Sequence, residues 1–234
     1  MSTIRLPETD EERMDILQAT IAQEEINEAW DRILSIMELQ ELRIFTTSFE
    51  GAYFILKQAT IDRDKTKNLY DELFKNAQLY VSHFIQVLFL TVIRNEIKDE
   101  NLPQYGLQEK NPVMPDISTE EAVLRWGENL MRGESERTCH GGIPLYNPAI
   151  AKVKVHYELF KESIQNLAIC EKNVSRLENN MDDIRKKANE YIRKIWTKVE
   201  ERYSRTSPDE QALRFKAYKM QFYYRKGEQL SVFD

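Results

Sequence analysis

Nothing restricts the fold of this chain more than the run from Ala149 to Ser207, 59 residues with neither glycine nor proline. A stretch that long without glycine or proline is hard to divide into strands and loops. Within it Val153, His156, Phe160, Ser163, Leu167, Cys170, Val174, Leu177, Met181, Ile184, Ala188, Tyr191 and Ile195 recur at spacings of three and four. That is the seam of an amphipathic helix with heptad character. Asn147-Pro148 supplies the start, with asparagine as N-cap and proline in the first turn.

The first part of the chain has the same grain. Thr9 with Glu12 reads as a capping box, ahead of Met14, Leu17 and Ile21. The series continues through Ile26, Trp30, Ile33 and Met37 and loses phase at Glu38–Glu41, which places a break there or near Gln23–Glu25. From Leu42 the stripe is regular through Phe45, Phe49, Ala52, Leu56 and Ala59. It resumes after the polar Asp62–Lys65 and runs from Leu69 or Tyr70 to about Ile97. Residues 1–8 read as disordered.

Shifted against itself by 111 residues, the chain brings Phe49 onto Phe160, Leu56 onto Leu167 and Asn68 onto Asn179. The same shift brings Asp71, Lys75, Ala77 and Tyr80 onto Asp182, Lys186, Ala188 and Tyr191. This weak internal repeat suggests two related helical units, residues 9–98 and 149–206. A connector over 99–148 would hold a short helix at 119–131, started by Ser118 with Glu121 and stopped by Gly133. Residues 207–234 would add a short helix capped by Ser207-Pro208. The final MQFYYRKGEQLSVF reads as a small β-hairpin around Lys226-Gly227 or as an irregular tail.

The expected fold is therefore a single all-α domain. Each long unit would be a hairpin, turning near Asp62–Lys67 and near Asn179–Asp182, and the two hairpins would form a four-helix-bundle-like core. The alternative is two very long antiparallel coiled-coil helices, each about 80 Å at the rise of an α-helix.

Composition limits the function classes. The net charge of −6 does not favour nucleic acid. Arg214, Lys216, Lys219, Arg225 and Lys226 alternate with Phe215, Tyr218, Phe222, Tyr223 and Tyr224, as in single-strand binders, yet such aromatics more commonly pack on their own core. Two cysteines, Cys139 and Cys170, make no disulfide framework and point to a reducing compartment, so the chain reads as cytoplasmic. The N-terminus has no apolar signal core. The apolar run Phe84–Ile93 is too short to span a bilayer, so no stable membrane insertion is expected. No Glu-x-x-His pair precedes His83 or His156, and no Cys/His cluster has ligand spacing, so neither metal nor other cofactor is expected.

The remaining chemistry gathers at Arg132–Pro148, RGESERTCHGGIPLYNP, which holds three of the seven glycines and two of the seven prolines. Shaped loops on rigid scaffolds commonly carry function. The candidate ligand-binding set is Arg132, Glu134, Arg137, His140, Gly141 and Gly142: arginines for a carboxylate or phosphate, with amides freed by Gly-Gly. The same arginines could equally pair with Glu134 or Glu136 to hold the loop's shape. Ile143, Leu145 and Tyr146 are expected to bury and dock the loop on the bundle. An enzymatic reading would use Cys139 as nucleophile beside His140 and Arg137, but it has no acid partner. The favoured expectation is a non-enzymatic helical binding or assembly protein, with homodimerisation through helical faces. A membrane-active protein exposing Phe84–Ile93 is the other alternative.

Overall fold

The computed structural model describes residues 3–110, 112–220 and 222–223, the outermost four as backbone only. The fold is all-α. Helix α1 spans Asp10–Ile26, α2 Ile36–Ile93, α3 Glu120–Cys139, α4 Ile150–Tyr203 and α5 Pro208–Ala217, with a 3-10 helix at Asp99–Tyr105. Two short strands, β1 (Thr3–Ile4) and β2 (Phe222–Tyr223), pair antiparallel. The segment expected to be disordered thus contributes a strand. The hairpin expected around Lys226-Gly227 lies outside the described residues.

The long units are not hairpins. Helix α2 is continuous over 58 residues and α4 over 54, so the very long helices are the correct alternative. The polar middles do not turn because their charges pair along the helix's own face. Lys65 lies 3.7 Å from Asp62, and Arg185 and Lys186 lie 2.9 Å from Asp182 and Asp183. Meanwhile Val174, Leu177 and Met181 keep the apolar seam in phase. A solvated face of i,i+3 pairs is compatible with helix.

Two compact units result, and they do not coincide with the two halves of the sequence. Unit 1 takes Met1–Ala59 and Val174–Asp234; unit 2 takes Thr60–Asn173. In unit 1, α1 and α5 join the first part of α2 and the second part of α4. The core is Ile16, Leu17, Leu42, Phe49, Leu56, Met181, Ala188, Ile192, Ile195, Trp196 and Val199, among others. The helices α2 and α4 run antiparallel there: Glu38 bonds Lys198 at 2.6 Å and Phe45 packs on Tyr191 at 4.7 Å. In unit 2 the second part of α2 meets the first part of α4, with α3 and the 3-10 helix. Again the pairing is antiparallel, Thr66 against Cys170 and Tyr80 stacked on His156 at 4.0 Å. Its core holds Ala77, Val81, Phe84, Ile85, Leu88, Leu102, Tyr105, Val123, Leu130, Val153 and Phe160.

The helix starts follow from their caps. Thr9 and Glu12 complete a capping box at α1, and Ser207 accepts from the Glu210 amide at α5. At α3 the cap is Thr119, one residue after the serine expected. Ser35 and Glu38 exchange hydrogen bonds at the start of α2, so the break falls between Ile26 and Ile36, just ahead of Glu38–Glu41. The Asn147–Pro148 peptide is cis and α4 begins just beyond it.

Candidate functional site

Half of the expected loop is helix. Gly133 does not end the short helix at residue 131; α3 continues to Cys139. The glycine serves packing: a Cβ on it would stand 2.6 Å from the Tyr105 ring and 2.9 Å from the Gln104 carbonyl. Removing the side chain lets α3 lie against the 3-10 helix, and this brings Tyr105 to Glu134 and Arg137 one turn later.

Those three groups form a buried network. Tyr105 donates its hydroxyl to Glu134 Oε2 and accepts from Arg137 Nε at 2.8 Å. Arg137 Nη2 donates to both Glu134 oxygens at 2.9 Å and to the Ile143 carbonyl at 2.8 Å. The Leu145 amide donates to Glu134 Oε1 at 2.8 Å. The Arg137 side chain is 6% exposed and that of Glu134 2%. Burial pushes the Tyr105 hydroxyl far above its ordinary pKa, and the Glu134 carboxylate adds to the effect. Burial opposes the Arg137 charge, but Tyr105 and Glu134 outweigh it and raise its pKa. Arg137 therefore keeps its charge, and with Glu134 it pins the backbone at residues 143 and 145.

Of the three apolar side chains expected to dock the loop, only Leu145 is buried; Ile143 and Tyr146 are 85% and 92% exposed. Gly141 takes a left-handed φ of 88°. Gly142 donates its amide to the Arg137 carbonyl at 3.0 Å, and a Cβ there would meet Arg137 Nη1 at 2.7 Å. The structure thus brings Glu134, Arg137, Gly141, Gly142 and, at the rim, His140 together. Arg132 does not join them; it is bound to Asn129 at 2.9 Å. His140 bonds the Glu136 carbonyl through Nδ1 at 2.7 Å, and Cys139 is exposed.

Beside the loop, within unit 2, lies an open pocket of about 830 Å³. Arg94, Glu96, Lys98, Arg137 and His140 supply its charged and titratable groups, and Val87, Ile97, Ile143, Leu145 and Tyr146 its apolar wall. Arg94 lies 3.7 Å from Glu96, and Lys98 makes no ion pair among the described residues. Sequence reasoning missed Tyr105, Arg94 and Lys98, because the pocket is assembled from the end of α2 and the segment after it, some forty residues before the loop.

Unit 1 holds an arrangement of the same kind. Glu24 accepts from the Tyr218 hydroxyl and from the Leu34 amide at 3.0 Å, and Asn27 Nδ2 donates to Tyr218 at 3.1 Å. Tyrosine, glutamate and the amide of the loop before a long helix recur, with asparagine where unit 2 has Arg137.

Among the described residues no group of three or more His, Cys, Asp and Glu side chains is placed to hold a metal. Helix α2 is long and apolar enough to cross a membrane by length and composition, with a mean hydropathy of 1.3 over its best 18-residue window. A third of that window is buried, and Phe84, Ile85 and Leu88 face the core of unit 2. Comparison with protein-family models, curated proteins and solved structures finds no match to this chain.

Proposed function

We propose that the protein is a non-enzymatic helical assembly protein, built as a tandem repeat, which pairs with a second copy of itself through the first part of α2. The observation that carries this reading is an uncharged exposed stripe in unit 1: Met37, Gln40, Ile44, Thr47, Ser48, Gly51, Phe54, Ile55 and Gln58. Isolated exposed apolar residues need no explanation, but a row along about six turns does. Gly51 stands near its middle, and beyond its own helical turn no described atom lies within 4 Å of where its Cβ would be. Glycine in a helix interior costs about 1 kcal/mol relative to alanine, and nothing in its own chain uses the space. A second helix crossing at Gly51 would use it. An antiparallel copy centred there sets Thr47 and Ser48 against Ile55 and Phe54, a self-complementary contact. The apolar run Phe84–Ile93 is partly consumed by the unit 2 core, whereas the stripe from Met37 to Gln58 is open.

The repeat reading rests on matching environments. Leu42 and Phe49 are buried in unit 1 as Val153 and Phe160 are in unit 2, and Ala188, Ile192, Ile195 and Val199 correspond to Ala77, Val81, Phe84 and Leu88. All six pairs obey the 111-residue shift, as do the ring pairs Phe45–Tyr191 and His156–Tyr80.

Light scattering of the wild-type chain and of Ile44→Glu/Ile55→Glu tests the assembly. The expected result is twice the 27.8 kDa chain mass at micromolar concentration, falling to a single chain in the variant. A wild-type protein of one chain mass refutes it.

A further inference from the structure

We infer that the pocket beside the central loop binds a small organic anion, an oxyanion carried on an apolar body, with Arg137 Nη1 as its anchor. This site lies in unit 2 and is independent of the assembly proposed through unit 1.

The argument starts from what Arg137 leaves unused. Its Nε and Nη2 are bound by Tyr105, Glu134 and the Ile143 carbonyl. Nη1 makes no hydrogen bond to a described residue. A guanidinium held on one edge, more than nine-tenths buried and lining a pocket, offers its remaining N–H groups at little conformational cost. Gly142 keeps that edge clear, since any side chain there would start 2.7 Å from Nη1.

Unit 1 offers a comparison. The loop before α2 is pinned by Glu24, Tyr218 and the Leu34 amide with Asn27 in the third position, and the cation there, Arg214, stands behind Asn27 and pairs with Asp31. Unit 2 carries its arginine in the third position itself, where it faces a pocket. Lys98 adds a donor at the rim, while Glu96 is engaged by Arg94. Val87, Ile97, Ile143 and the exposed Tyr146 ring provide an apolar wall that an inorganic ion would not use. The recognised chemistry is thus a carboxylate or a phosphate monoester with an aliphatic or aromatic body.

Calorimetric titration of the full chain with octanoate, phenyl phosphate, inorganic phosphate and octanol tests the site. The expected outcome is saturable one-site binding of octanoate or phenyl phosphate, about tenfold or more tighter than octanol or inorganic phosphate, the gain expected of a charge-assisted hydrogen bond from a fixed guanidinium together with an apolar wall. The tighter arm tells a carboxylate ligand from a phosphate one. Arg137→Asn copies the unit 1 arrangement and should fold cooperatively while weakening binding about tenfold. Should it fail to fold, Lys98→Glu decides, because that exposed side chain pairs with no other group among the described residues; it should weaken binding about fivefold with unchanged melting. No saturable binding of either organic anion up to about 10 mM, or unchanged affinity in the folded variant, overturns the proposal.

Discussion

Glu134 receives four donors, from Tyr105, Arg137 and the Leu145 amide, and its value to the fold differs from that of its partner. Glu134→Ala leaves a buried guanidinium without its counter-charge, a change that costs about 3–5 kcal/mol. Arg137→Asn leaves a carboxylate that still holds the tyrosine and the amide, as Glu24 does, and should cost about 1–2 kcal/mol. Urea unfolding of the two variants checks the order. Equal losses would mean that the ion pair, not the carboxylate clamp, holds the loop. The glycines make a second contrast at this scale. A Cβ at Gly127 would stand 2.5 Å from the Tyr157 ring, so Gly127→Ala should destabilise by about 1–3 kcal/mol. Gly51→Ala enters open space and should stabilise an isolated chain by about 0.5–1 kcal/mol while weakening self-association. The chemistry of Arg137 and Glu134 was legible in the sequence as alternatives, ligand or loop brace. The choice was not, because it depends on which edge of the guanidinium Tyr105 occupies.

Among the elements, helix starts were readable wherever a cap and a following stripe agreed, as at Thr9 and Ser207. Ser35-x-x-Glu38 is the same signal, overlooked because the apolar stripe falters beside it. The long helices were harder. Runs such as EKNVSRLENNMDD look like a turn by composition, and only the phase of Val174, Leu177 and Met181 on either side argues against one. Gly133 misled in the other direction: a glycine near a helix end is commonly a stop, but here its missing side chain admits Tyr105. The cap of α2 also yields a pH test. Glu38 is held down to about 2, first by its hydrogen bond from Lys198 and then by the Ser35 amide. A carboxyl whose folded pKa is depressed stabilises above its unfolded pKa near 4.5 and loses that contribution as pH falls toward 2. The stability difference between wild type and Glu38→Gln should therefore be constant from pH 5 to 7 and shrink between about pH 4.5 and 2. Thermal unfolding at pH 6 and pH 3 measures it; a difference that grows on acidification contradicts the assignment.

At the scale of the molecule, the tandem reading makes a demand on either half alone. Residues 1–110 contain α1, α2 and the 3-10 helix but lack the α4 and α5 segments that complete unit 1 and the α3 and α4 segments that complete unit 2. If the halves are equivalent, this fragment should fold only by pairing with its own copy, Phe45 of one α2 meeting Tyr80 of the other. Circular dichroism against concentration should show helix and dimer appearing together. A helical monomer at all concentrations would remove the repeat. The two units also differ in how the ribosome must deliver them. Thr60–Asn173 is one uninterrupted stretch, so everything unit 2 needs has been made once Asn173 has been added. Unit 1 joins Asp10 to Arg185, Arg13 to Asn189 and Glu24 to Tyr218. Its first helices emerge before any of those partners, and must wait for more than a hundred further residues before their apolar faces are covered. Unit 1 is thus begun before unit 2 and completed after it, so its order of synthesis is the reverse of its order of closure.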